Sequence, residues 1–269
     1  MIWAYFFEQK KSRFVALDDV CVESYLYEHY IRYDNGETDF ISPNSIENGY
    51  MQFENEYRSI IEKIINAPND VISLTDDDRN ILTGFIVSIM FRHPIFINMA
   101  NGLHEKIYNE HMKWRNELAS NFSDIYDVYL KMAYLHEMLE MNQNPERNIA
   151  IQAMKNMLGE EQLCVFRADS IEFITSDAPV VNVYGNINGL DYDLIGLPVS
   201  PKYFVAFIDV DRNVSNKVFV IDNEQTMSLN KHQYDHSATS IIMSKSKDEL
   251  EKHIADFRNS EADFDKFVF

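Results

Sequence analysis

Thr175, Ser176 and Asp177 are the residues best suited to chemistry. They are three small polar side chains in a row, after the apolar pair Phe173-Ile174 and before Ala178-Pro179-Val180-Val181. An aspartate beside two hydroxyls can serve as a base, a metal ligand or a substrate clamp if it faces a cleft. The same string also suits a hairpin turn. Ser and Asp side chains bond nearby backbone N–H groups, and Pro179 restricts the chain on both sides of itself. Arg92 lies in the strongly apolar stretch 85–96. An arginine there either reaches solvent and a surface carboxylate, or clamps an anion or pairs with Asp177.

Two other patterns are weaker. His232 and His236 are four apart on an expected helix, a spacing that can hold zinc, but Gln233 replaces the glutamate of the protease motif and no third ligand is evident. They read as a polar helix surface. Asp209, Asp211, Asn213 and Ser215 imitate a calcium loop, but Val214 stands where glycine is needed and Val220 where the last acid belongs. That stretch reads as a β-turn, and Asp191-Tyr192-Asp193 as a loop. The chain contains no Gly-rich phosphate loop, nucleophile elbow or Cys-x-x-Cys. No metal site and no cofactor or partner is named by these patterns.

The elements that must position these residues follow from periodicity. Trp3–Gln9 and Arg13–Val20 are aromatic and β-branched runs around Lys10-Lys11-Ser12, which predicts a hairpin. Tyr57, Ile60, Ile61, Ile64 and Ile65 have the spacing of one buried helix face. Thr75 is a cap for the next helix, with Asp76, Asp77 and Asp78 where the helix dipole is positive. That helix runs to a break at Pro94, and further helices are expected over 103–118, 123–141 and 147–158. Strands are then expected at 163–167, 171–175, 180–184, 194–199, 203–210 and 217–221, so closely spaced that neighbours should pair as hairpins. A helix at 224–236, a strand at 240–243 and a helix at 247–257 follow. The expected fold class is α+β, a single domain over 1–269: hairpin and loop in 1–44, a helical bundle in 45–160, and a mostly antiparallel sheet with flanking helices in 161–269.

These motifs resemble a bacterial domain-of-unknown-function family, DUF4238. Its members carry Arg-x-Pro on a central helix and Thr-Ser-Asp-x-Pro entering a C-terminal sheet. Arg92-His93-Pro94 and Thr175–Pro179 match both. Leu197-Pro198-Val199-Ser200-Pro201 is similar to the family's Pro-Leu-Ser-Pro stretch, Leu229-Asn230 to a later Leu-Asn pair, and Ile2-Trp3-Ala4-Tyr5 to its first strand. The family's N-terminal His-x-Val-Pro is missing here. If that histidine is catalytic in relatives, this chain has lost it, replaced it or is a shortened form. The resemblance implies a site built from Thr175, Ser176, Asp177 and Arg92, with Asn230 beside it. Hydrolysis or transfer on a phosphate-bearing substrate would suit an arginine beside an acid. A non-catalytic interaction module, with the same residues as buried scaffolding, is the alternative.

Bulk composition bounds these readings. Apolar residues are 46% of 269, with 18 Phe and 15 Tyr but only 8 Gly and 7 Pro, which is the balance of a folded chain. The net charge of -19, with no Lys/Arg-rich run beyond Lys10, Lys11 and Arg13, disfavours non-specific binding to nucleic acid or a membrane surface. Cys21 and Cys164 are expected to be reduced and unpaired. The start has no basic n-region and no apolar run approaches about 20 residues, so the expected location is the cytoplasm.

Overall fold

The central strand of the larger sheet shows how the core is divided. Tyr203–Ile208 is a continuous apolar run, and its residues 204–208 are all buried. Successive side chains of a strand point to opposite faces. Val205 and Phe207 therefore join one core with Ile60, Ile61 and Ile64 of one helix and Leu82, Phe85 and Ile86 of the next. Phe204, Ala206 and Ile208 join a second core on the other face, with Phe166, Phe173 and Leu229.

In a computed structural model, the structure describes residues 2–7, 9–16, 30–32, 38–40, 45–67, 72–91, 156, 158, 161–187, 190–208, 217–237 and 241–258. In chain order the elements are β1 (Ile2–Phe6), β2 (Lys11–Val15), β3 (Tyr30–Arg32), β4 (Thr38–Phe40), α1 (Ser45–Ile65), α2 (Asp76–Phe91) and β5 (Gln162–Ala168). Then come β6 (Thr175–Ser176), β7 (Val181–Ile187), β8 (Leu190–Pro198), β9 (Tyr203–Ile208), β10 (Val218–Ile221), α3 (Asn223–His236), β11 (Ile241–Ser244) and α4 (Lys247–Phe257). The larger sheet has the order β10-β5-β9-β8-β7, and a second sheet has the order β2-β1-β11-β6. Among the described residues all pairs are antiparallel except β10 with β5. The α+β class is thus observed, with helices against both sheets.

Several expectations need correction. The N-terminal hairpin exists, but its turn falls earlier, with Lys11 and Ser12 already in β2 and Lys10 at φ 50. Ile65 is 38% exposed, off the buried face of α1. Asp191, Tyr192 and Asp193 lie within β8, not in a loop. The expected strand at 171–175 contracts to Thr175–Ser176, and β10 returns parallel to β5 instead of closing a hairpin with β9. Arg92, Cys21, the helices of 103–155, the calcium-like stretch 209–215 and the expected break at Pro94 lie outside the described residues.

The start of α2 follows its sequence signal. The Asp78 N–H donates to Thr75 Oγ1 and the Thr75 N–H donates to Asp78 Oδ2, both at 3.1 Å, a reciprocal cap. Lys63 Nζ of α1 donates to the same carboxylate at 2.7 and 2.8 Å. The Lys63 ammonium first, and the Thr75 N–H next, hold the Asp78 carboxyl below its usual range. Its stabilisation is therefore full above about pH 4 and is lost as pH falls through the lowered folded value. Asp78→Ala is expected to cost about 1–2 kcal/mol in a urea melt at pH 7, since the cap is worth about 1 and the half-exposed lysine adds only a fraction. The deficit relative to wild type should shrink as pH falls below 4.

Candidate functional site

Thr175–Pro179 is a crossing between two sheets, not a hairpin. Its first two residues pair with β11, Thr175 opposite Met243 and Ser176 opposite Ile242. The chain then enters β7, which pairs only with β8 among the described residues. The two residues before the crossing anchor it in different cores: Phe173 belongs to the core under the larger sheet, and Ile174 to a third cluster with Tyr5, Ile242, Leu250 and Ile254. That split explains why an apolar pair here marks no long strand.

Helix α3 holds the crossing from one side. It begins with a capping box, Asp222 accepting from the Gln225 N–H at 2.9 Å and Gln225 Oε1 accepting from the Asp222 N–H at 3.1 Å. Asn223, Asn230 and Gln233 follow at intervals of seven and three, which puts them on one face. Asn223 Oδ1 accepts from the Ile171 N–H at 3.2 Å. Asn230 Nδ2 donates to the Glu172 carbonyl at 2.9 Å, and its Oδ1 accepts from the Ile174 N–H at 3.0 Å. Gln233 Nε2 donates to the carbonyls of Ala178 and Pro179, at 3.2 and 3.1 Å. Three side-chain amides thus fix the main chain on both sides of Thr175–Asp177. Asn230 and Gln233 are each 1% exposed, where hydrogen bonds to uncharged partners hold best and are costly to break.

The other family-like stretch meets the same segment. Ser200 Oγ accepts from the Lys202 and Tyr203 N–H groups, shaping the turn between β8 and β9. The Pro201 carbonyl at that turn accepts from the Phe173 N–H at 2.8 Å. Leu197–Pro201, Thr175–Pro179 and Leu229-Asn230 therefore converge in space.

Within the crossing, Ser176 is buried and its Oγ accepts from the Ala178 N–H at 3.1 Å. Thr175 and Asp177 are half-buried. Of the candidate residues, Ser176 and Asn230 come together as frame, Asp177 and Thr175 stand at its surface, and Arg92 lies outside the described residues. A shallow apolar groove of about 490 Å³ between Tyr57, Ile61, Phe85 and Val199 does not include Asp177.

Sequence reasoning missed Gln233 and misplaced His232. The latter is 1% exposed, not on a polar helix surface. Burial first, and the neighbouring His236 second, push its pKa down to about 4. The signal was available: α3 carries few apolar residues, so a buried α3 must bury polar ones. Among the described residues no group of three or more His, Cys, Asp or Glu could hold a metal ion, and no helix is long and apolar enough to cross a membrane. Cys164 is free and buried in β5, and burial pushes its thiol pKa up.

This architecture defines an α+β protein with two sheets joined by a motif-bearing crossing that a polar helix secures. The chain belongs to the family described as "Protein of unknown function (DUF4238)", whose model matches residues 2–248. No curated protein and no solved structure matches the chain.

Proposed function

We propose that the Thr175–Pro179 crossing is a preorganised ligand site with Asp177 as its working carboxylate. It acts in a hydrolase-like or degenerate-enzyme role on a phosphate-bearing substrate. Arg92 serves as the anion clamp and Thr175 lies at the edge of the site. Ser176 and Asn230 form its frame and do not themselves react. The observation that carries this reading is the set of side-chain bonds fixing Ile171, Glu172, Ile174, Ala178 and Pro179 around a half-buried aspartate. Catalytic and binding groups work when a rigid surround holds them in place. A carboxylate so held can take a proton from a nucleophile, and a guanidinium can balance the charge of the phosphate oxygens.

A second reading has its own support. Ser176 and Asn230 are buried, and their polar atoms are engaged by the backbone, as in a non-catalytic interaction module whose motif residues brace the fold. Thermal melts of Asp177→Asn and Arg92→Ala, with and without inorganic phosphate, separate the two. For a site, Asp177→Asn leaves the Tm unchanged or raises it. Phosphate at about 100 times its Kd then stabilises the wild type by about 2.7 kcal/mol but has no effect on Arg92→Ala. A loss of several kcal/mol in Asp177→Asn, with no phosphate effect, favours the brace.

A further inference from the structure

We propose that helix α4 is a pH-released brace of the smaller sheet, and that His253 is its trigger. This device regulates the site proposed above but acts whether or not that site is catalytic.

His253 is 2% exposed, and among the described residues neither of its ring nitrogens has a hydrogen-bond partner. A neutral imidazole always carries one N–H, so this helix buries a donor and an acceptor with nothing among the described residues to satisfy them. The ring stacks on Phe257 of the same helix, centroids 5.5 Å apart and planes 9° from parallel. A leucine would fill such a place without an unpaired polar atom. Protonation would put a charge and a second N–H in the same apolar contact, and the helix must lift for water to reach them.

The surroundings supply little to hold that charge. On its own helix, Asp256 favours it, Lys252 opposes it and burial outweighs both, so the His253 pKa is pushed down to about 4. The cluster formed by its helix neighbours Leu250, Ile254 and Phe257 takes Trp3 and Tyr5 from β1, Ile242 from β11, and Met227 and Tyr234 from α3, with no carboxylate, lysine, arginine or histidine among them. The nearby charged groups have other neighbours. Lys247 lies over Trp3 and beside Glu251, Arg258 donates to the Tyr5 hydroxyl, Lys231 pairs with Asp235, and Glu249 feels the like charge of Glu172. The folded imidazole is depressed relative to the free one, so α4 docking is complete above about pH 6.5. It weakens as pH falls through this window toward the folded value near 4.

The consequence reaches the crossing. Leu250, Ile254 and Phe257 of α4 cover Tyr5, Ile174 and Ile242. Ile174 is the residue whose N–H is held by Asn230, one step before Thr175. Lifting α4 uncovers the apolar anchor of the motif while leaving the larger sheet and its two cores intact.

Hydrogen exchange of the full chain, read by mass spectrometry and corrected for the intrinsic pH effect, tests this. In the wild type, protection of 247–257 should fall on the order of 100-fold between pH 7 and 4.5, well beyond any loss in β9, whose core α3 and the buried His232 also support. His253→Leu should keep α4 protected throughout, and His253→Gln, an untitratable side chain nearer in polarity, serves as a second variant. Protection of α4 that does not change with pH in the wild type overturns the proposal. So does loss only in step with β9, or an equal loss in either variant. If α4 is released while phosphate binding and Asp177→Asn behave as a brace, the site reading fails and this one stands.

Discussion

Replacing Gly196 by valine is expected to leave little folded protein at 37 °C, and alanine to cost on the order of 3 kcal/mol. Gly196 lies in β8, opposite Ala206 of β9 and Val181 of β7, inside the five-stranded sheet. A Cβ there would press on the Val205 carbonyl oxygen, and would stand 2.6 Å from Phe204 Cε1 and 3.0 Å from Ala206 Cα. Two of these obstacles are backbone atoms of the central strand. The third is a ring 2% exposed, with Phe173 5.5 Å and Phe166 6.2 Å away between centroids. None can yield without moving β9, which contributes to both cores of this sheet. Because Phe173 is an anchor of the motif crossing, the strain should also loosen Thr175–Pro179. At about 2–4 °C per kcal/mol for a chain of this size, alanine should lower the Tm by roughly 6–12 °C. A Gly196→Ala protein melting within about 2 °C of wild type would mean β8 and β9 do not approach so closely.

The sequence made local signals legible and left long-range ones hidden. Thr75 and Asp78 announced the start of α2 because a cap is a contact between near neighbours. The Ile60-Ile61-Ile64 spacing announced a buried face for the same reason, and only Ile65, at the end of the helix, departs from it. The polar string 175–177 marked a break between apolar runs but not what it joined. Two apolar stretches separated by a short polar one look like a hairpin when nothing tells which sheet each enters. Here Ser176 pairs with Ile242, far along the chain, and β11 pairs in turn with β1. Such pairings leave no local trace, and neither does an apolar pair whose members enter different cores, as Phe173 and Ile174 do. Pro201, the crossing and Asn230 are linked by the bonds to Phe173, Glu172 and Ile174. The Asp177–Arg92 pairing rests on the resemblance and is a matter for the melts proposed above.

Asn230→Ala should be the most damaging change at the motif itself, at about 3 kcal/mol or roughly 6–12 °C in Tm. It removes two hydrogen bonds in one step and strands the Ile174 N–H and the Glu172 carbonyl at a place where Asn230 is itself only 1% exposed. A stranded buried N–H costs more than a lost bond is worth, because water cannot replace the partner. Gln233→Ala should cost less, about 1–2 kcal/mol, since Gln233 only donates and its Oε1 already has no partner among the described residues. The double variant should lose less than the sum of the two. Both side chains restrain one short segment, and the second restraint matters less once the first is gone. Additive losses would mean that 172–174 and 178–179 move independently and that the crossing is not held as a unit. Asn230→Asp sharpens the test. At pH 7 the carboxylate still accepts from Ile174 but faces the Glu172 carbonyl with no donor, so it should be at least as damaging as alanine. Burial raises the pKa of such an aspartate, so the deficit relative to wild type should shrink as pH falls from 7 to 5 and the acid gains an O–H to donate to Glu172. An Asn230→Asp deficit that does not change over that range would place position 230 in contact with water, and α3 would then not be the rigid support of the motif.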